Sequence, residues 1–360
     1  MRMLTIEERL SRALARRHLR EMSDAAMEAF YESRKEPWTG KRTRLADLLF
    51  ASMSPVGNED TQKSLDAGAD VVAQLNKVLD HVEFEYQGSV VADTHIKEAS
   101  DIDLLVVNKR AFGWDKARVT DALRAARAKG VTEAGLCAKL EGIMNMRKYA
   151  GDSIKDLIEQ DAKCKKFLCA IYPDVDTSGS KAISVLNERL GRRVDVVNCQ
   201  WFDDLQSILN GRVCPYRGIR IFNRATAKFE EVDFPFLRIR DMNTRDQETC
   251  GRFKQLIRFF KTLRADAVNA AGMKLSSFDI YSIVYAMDPV DYNGCDRLGL
   301  ARKLRDFLGN LVADREVARG IKEFGGVASL FEGSEEKLRD IETIHVELTL
   351  LLAQKSEFIR

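Results

Sequence analysis

A chain of 360 residues is longer than one hydrophobic core usually serves, so two lobes are expected. Charged residues make up 31% of it, yet the net charge is only +2, which argues against coating nucleic acid by bulk charge while leaving a local basic groove open. Seven scattered cysteines without a C-x-x-C pair, four isolated histidines, no apolar run of membrane length and no signal-peptide core argue against zinc, disulfide and membrane classes; a soluble, cytoplasmic protein with free thiols is expected.

The opening stretch from Thr5 to Pro37 reads as helix, with Thr5 and Glu8 in capping-box spacing and Pro37 closing it. Its basic residues read as a solvated face, with RNA or partner binding as the alternative. A second helix is predicted over Gln62 to Val82, where Val71, Val72, Leu75, Val78, Leu79 and Val82 recur at helical spacing. Leu104 to Val107 is an apolar run that predicts a buried strand. Helical patterns fill Trp114 to about Tyr172. Strands return as a hairpin, Lys181 to Leu186 and Val194 to Asn198, and as a further pair, Tyr216 to Phe222 and Lys228 to Val232. From about Asp241 the chain is predicted helical, in segments near 248–266, 277–287, 297–314, 314–324 and 335–355, with Pro289 ending the second. The expected class is α+β: a mixed sheet-and-helix lobe over 1–240, and a helical lobe over 241–360.

The chemistry concentrates between Gln87 and Val107. Gly88 and Ser89 offer close backbone approach and a hydroxyl, which suit a phosphate. Asp101 and Asp103 then enter the apolar run. Residues two apart share a strand face, so both carboxylates point one way while Ile102 points into the core. Carboxylates side by side repel unless a cation lies between them, and oxygen-only ligands suit Mg²⁺. Asp195 lies mid-strand between Val194 and Val196. It is costly to bury unpaired, so it either binds the metal or pairs with Arg192 or Arg193. Further on, Lys254, Arg258 and Lys261 share one face of a helix, read either as a wet basic side or as a cationic wall for a triphosphate. Ser276, Ser277 and Phe278 open the next helix, where a serine can cap the turn or meet a phosphate.

Gly-Ser, a spacer of about a dozen residues, D-x-D and an immediate apolar strand together resemble the nucleotidyltransferases related to DNA polymerase beta. More closely the chain is similar to the bacterial CD-NTases, the cGAS-like synthases of cyclic oligonucleotides. The resemblance runs from about Gln87 to about Tyr285. It implies that Asp195 is the third ligand, and that Asp101, Asp103 and Asp195 hold two Mg²⁺ ions, with Mn²⁺ as an alternative. It implies further that Gly88 and Ser89 bind phosphate, Lys261 and Ser277 touch phosphates, and Phe278, where a tyrosine is usual, stacks on a base. The implied reaction is two-metal nucleotidyl transfer closing two or three nucleotides into a second messenger, in anti-phage signalling. Implied substrates are ATP or GTP, with pyrimidine nucleotides open. Implied partners are a separate effector and an RNA or protein activator. The alternatives are a linear-oligonucleotide synthase or a transferase modifying a protein or small molecule, and an inactive RNA-binding scaffold.

Overall fold

Aliphatic and β-branched runs build the sheet that carries the acidic pair. In a computed structural model, residues 2–16, 43–97, 100–129, 133–326 and 328–354 are described. The strands are β1 (Val82–Gln87), β2 (Ile102–Trp114), β3 (Val175–Asp176), β4 (Ala182–Asn187), β5 (Arg192–Asp203), β6 (Gly218–Asn223) and β7 (Lys228–Asp233). The helices, in chain order, begin with α1 (Ile6–Ala15), α2 (Arg44–Met53), α3 (Asn58–Leu75), the single turn α4 (Gly88–Val91), α5 (Lys116–Ala128), α6 (Ala134–Met144), α7 (Ser153–Ile171) and α8 (Leu205–Leu209). They continue with α9 (Pro235–Glu248), α10 (Arg252–Asp266), α11 (Ser277–Ala286), α12 (Pro289–Tyr292), α13 (Arg297–Ala313), α14 (Arg315–Gly320) and α15 (Glu335–Ala353).

Two compact units form. One contains residues 58–92 and 99–241; the other contains 1–57, 93–98 and 242–360. A single cut at 240 therefore describes only the later boundary. The helices α1 and α2 go with the helical unit because they bury Ile6, Leu10, Leu48 and Leu49 there. That unit also encloses a buried ion pair, in which Arg9 donates to Glu347.

In the sheet unit the strand order is β1-β2-β5-β4-β3. β2 and β5 run parallel, and the other pairings are antiparallel. One edge of the long β5 lies along β2, and its other edge pairs first with β4 and then with β6. Burial alternates with the strand period. Ile102, Leu104, Val106, Val194 and Val196 face α3 and α7, while Leu105, Val107, Val197 and Cys199 form a second cluster with Trp201 and Ile219. Beneath α7 a buried polar chain is fully joined: Asn108 donates to Gln160 at 2.9 Å, Gln160 to Asn198 at 2.8 Å, and Asn198 to Asp161 at 2.9 Å. Arg224 closes it on Asp161.

The Thr5–Glu8 capping box forms as expected, and the rest of that predicted helix, beyond Arg16, lies outside the described residues. The second helix stops at Leu75 rather than Val82. His81, at φ 59°, turns the chain, and Val82 begins β1, whose Val82, Phe84 and Tyr86 pack on the core while Glu83, Glu85 and Gln87 alternate with them. The predicted helix over 248–266 starts later, at Arg252: α9 ends at Glu248, and Gly251, with φ 85°, caps α10. Pro289 opens α12 instead of simply ending α11.

Candidate active site

The β1–β2 ladder sets Gln87 opposite Asp103, so the chain passes from β1 into the α4 turn beside the acidic strand. Gly88 has φ +88°, and a Cβ there would stand 1.9 Å from Asp103 Oδ2. Only glycine lets the carboxylate lie against this turn. Ser89 follows, half-buried.

The parallel register pairs Asp103 with Asp195. Neighbouring strands lie about 4.8 Å apart and registered side chains share a face, so the two carboxylates are held side by side. Asp101 is exposed at the mouth of β2, while Asp103 and Asp195 are half-buried. Burial first, then the Asp195 and Asp101 charges, push the Asp103 carboxyl up to about 7. Arg192 pairs with Asp60 at 3.0 Å and Arg193 with Asp174 at 2.7 Å. Both arginines that could have neutralised Asp195 are thus engaged elsewhere. Among the described residues no three His, Cys, Asp or Glu side chains form a ready-made metal cage. The trio is a facing pair with a third carboxylate near it. Its all-oxygen donors fit a hard divalent cation, and the missing Cβ of Gly88 is what lets the Asp103 carboxylate lie against the turn.

Lys261, Ser277 and Phe278 lie in the helical unit. Lys261 Nζ donates to the Thr94 carbonyl at 3.0 Å and sits 5.7 Å from the Tyr281 ring centroid, and the Tyr281 hydroxyl shares a 3.0 Å hydrogen bond with Thr94 Oγ1. Burial, then the Arg258 charge, lower the Lys261 ammonium to about 8. Arg258 does not belong to a wet wall. It is buried, donating to the carbonyls of Met53 at 2.7 Å and Asp93 at 2.6 Å. Ser276, not Ser277, is the N-cap of α11, in a capping box with Asp279. Ser277 is therefore exposed at the first helical position, with Phe278 half-buried beside it. The 93–97 stretch, fastened by Arg258, Lys261 and Tyr281, carries no local signal for those contacts, since they join residues far apart in sequence. His95 is a buried residue of that irregular stretch.

Residues 240–352 match the model of the cGAS/DncV-like nucleotidyltransferase C-terminal helical domain. A c-di-GMP synthase of Lachnospiraceae bacterium (strain RUG226) is 33% identical over 293 residues, covering 81% of this chain and 83% of that protein. The chain belongs to the cGAS/DncV-like nucleotidyltransferases. Another c-di-GMP synthase, from Capnocytophaga granulosa, is 33% identical over 86% of this chain and 87% of its own length. The solved structure of a STING-associated CdnE c-di-GMP synthase from Flavobacteriaceae sp. superposes with a TM-score of 0.83 at 26% identity, covering 97% of this chain and 98% of that one. The chain is accordingly a nucleotidyltransferase that makes cyclic dinucleotides from nucleoside triphosphates. Enzymes of this family generally use divalent metal ions. No helix among the described residues is long and apolar enough to cross a membrane.

Proposed function

We propose that the chain joins two GTP molecules into cyclic di-GMP, with Asp101, Asp103 and Asp195 as the ligands of its divalent ions, Mg²⁺ or Mn²⁺. The observation that carries the reading is the register pairing Asp103 with Asp195 beside Gly88, in a chain one-third identical to c-di-GMP synthases. When bound, the ions supply activation of the attacking hydroxyl and neutralisation of the pyrophosphate leaving group. Each transfer forms one ribose-oxygen to phosphorus bond and breaks one α–β phosphoanhydride, and the second transfer closes the ring.

The chain's own groups do the positioning. Gly88 admits a phosphate close to the backbone, and the Ser89 hydroxyl donates to it. Lys261 has three N–H donors, one spent on Thr94, which leaves two for triphosphate oxygens. Ser277 meets a phosphate, and Phe278 offers a face for a guanine. The Flavobacteriaceae relative is described as STING-associated, which supports a separate effector that receives the product; the reading includes an anti-phage role for that pair.

The test is mass spectrometry of products from purified protein given all four ribonucleoside triphosphates with Mg²⁺, before and after phosphatase. Phosphatase-resistant cyclic di-GMP is expected as the main product. A phosphatase-sensitive linear product, a different cyclic dinucleotide, or label left on protein would each overturn the assignment.

A further inference from the structure

At the opposite end of β2 from the aspartates the sheet unit holds a cavity of about 990 Å³. Asp103 and Arg110 are seven strand steps apart, about 23 Å at the strand rise, so this cavity is separate from the acidic pair. Arg110, Trp114 and Lys116 line it from the end of β2 and the start of α5. Arg147, Lys148 and Tyr149 line it from the segment joining α6 to α7.

Three features set it apart from an ordinary wet groove. The first is charge. Lys116, Arg147 and Lys148 form no ion pair with a carboxylate among the described residues, and Asp156, the acid beside the cavity, is engaged by Arg110 at 3.3 Å. The second is a fixed aromatic face. Tyr149 is 41% exposed, yet its hydroxyl donates to Asp156 at 2.5 Å. Its ring also lies so close to Gly151 that a Cβ there would come within 2.5 Å. An exposed ring whose hydroxyl is held by Asp156 and whose phenol end lies against Gly151 has already lost rotamer freedom, so stacking on it costs little further order. The third is size, at the top of the ~300–1,000 Å³ range of small-molecule sites.

Cations around a pinned aromatic face match one ligand chemistry, a flat base joined to phosphates. We propose that this cavity is a second nucleotide site that binds the cyclic dinucleotide the enzyme makes, its bases stacked on Tyr149 and its phosphates held by Arg147, Lys148 and Lys116. The choice of product as ligand rests on the proposed function; the base-and-phosphate chemistry does not.

The test is equilibrium binding in EDTA of cyclic di-GMP, GTP and a short single-stranded RNA to the full chain. It is repeated with Tyr149→Ala, Tyr149→Phe and the double variant Arg147→Glu/Lys148→Glu, after circular dichroism has established that each is folded. Cyclic di-GMP should bind saturably. Tyr149→Ala and the double variant should each weaken it about tenfold or more, Tyr149→Phe should weaken it less, and all three should keep the basal synthesis rate. Failure of cyclic di-GMP to saturate, affinity unmoved by both stacking and charge variants, or preferential binding of GTP or RNA would overturn the proposal. Product analysis fails independently of this. A wild-type protein that makes another nucleotide but still binds cyclic di-GMP here loses the proposed function and keeps the site.

Discussion

Replacing Gly88 by alanine examines the candidate site through its tightest contact. The added methyl would stand 1.9 Å from Asp103 Oδ2 and 3.0 Å from its Cγ. Ordinary non-bonded separations are about 3.5 Å, so turn and carboxylate must part by about 1.5 Å. A misplacement of about 1 Å at a reacting centre costs roughly 100-fold in rate, so a loss of at least about 100-fold is expected. The φ of +88° adds a backbone penalty of roughly 1–2 kcal/mol for any L residue, which lowers stability but leaves the fold. Gly191→Ala separates the two effects. Gly191 also has positive φ, +62°, but a Cβ there meets nothing within 4 Å. The assay is the initial rate of cyclic dinucleotide formation by chromatography, beside thermal melting of both variants. Both should melt a few degrees early, and only Gly88→Ala should lose the rate. Retention of more than half the rate by Gly88→Ala, or an equal loss in Gly191→Ala, would refute the reasoning.

Three further outcomes are expected. Asp103→Asn and Asp195→Asn should each abolish most turnover, by about 100-fold or more, while raising the melting temperature measured in EDTA, because a like-charge repulsion between half-buried carboxylates is removed; undiminished turnover in either would dismiss the metal-ligand reading. Lys261 has a folded-state pKa of about 8, below its unfolded value, so the unfolded chain holds more protons between about pH 8 and 10.5 and stability should rise with pH across that window. Lys261→Met should flatten that rise in a pH series of denaturant melts and also weaken triphosphate binding; an unchanged slope would mean that Lys261 is not desolvated. Arg9→Met strands the buried Glu347 carboxylate and should cost about 3–5 kcal/mol, with Arg9→Met/Glu347→Leu regaining much of it by chemical denaturation; a loss under 1 kcal/mol would show the pair to be solvated.

The acidic pair, the glycine-serine turn and the central strands were legible in the sequence because strand alternation and local turn chemistry are short-range rules. Ile102 to Val107 alternates between two buried clusters as its spacing predicts, and Thr5 with Glu8 caps α1 as their spacing predicts. Asp195 was legible only as an anomaly, a carboxylate among valines. That it faces Asp103, and that Arg192 and Arg193 are spent on Asp60 and Asp174, is decided by a parallel register joining segments some ninety residues apart. β1 was missed although Val82, Phe84 and Tyr86 alternate with Glu83, Glu85 and Gln87 at the strand period, because the helical spacing of Val71 to Val82 drew its first residue into the preceding helix. Arg258 shows most plainly what only tertiary structure decides. Helical spacing put it on one face with Lys254 and Lys261, but burial forces its guanidinium onto the carbonyls of Met53 and Asp93, since a charge taken from water must find partners wherever the fold supplies them.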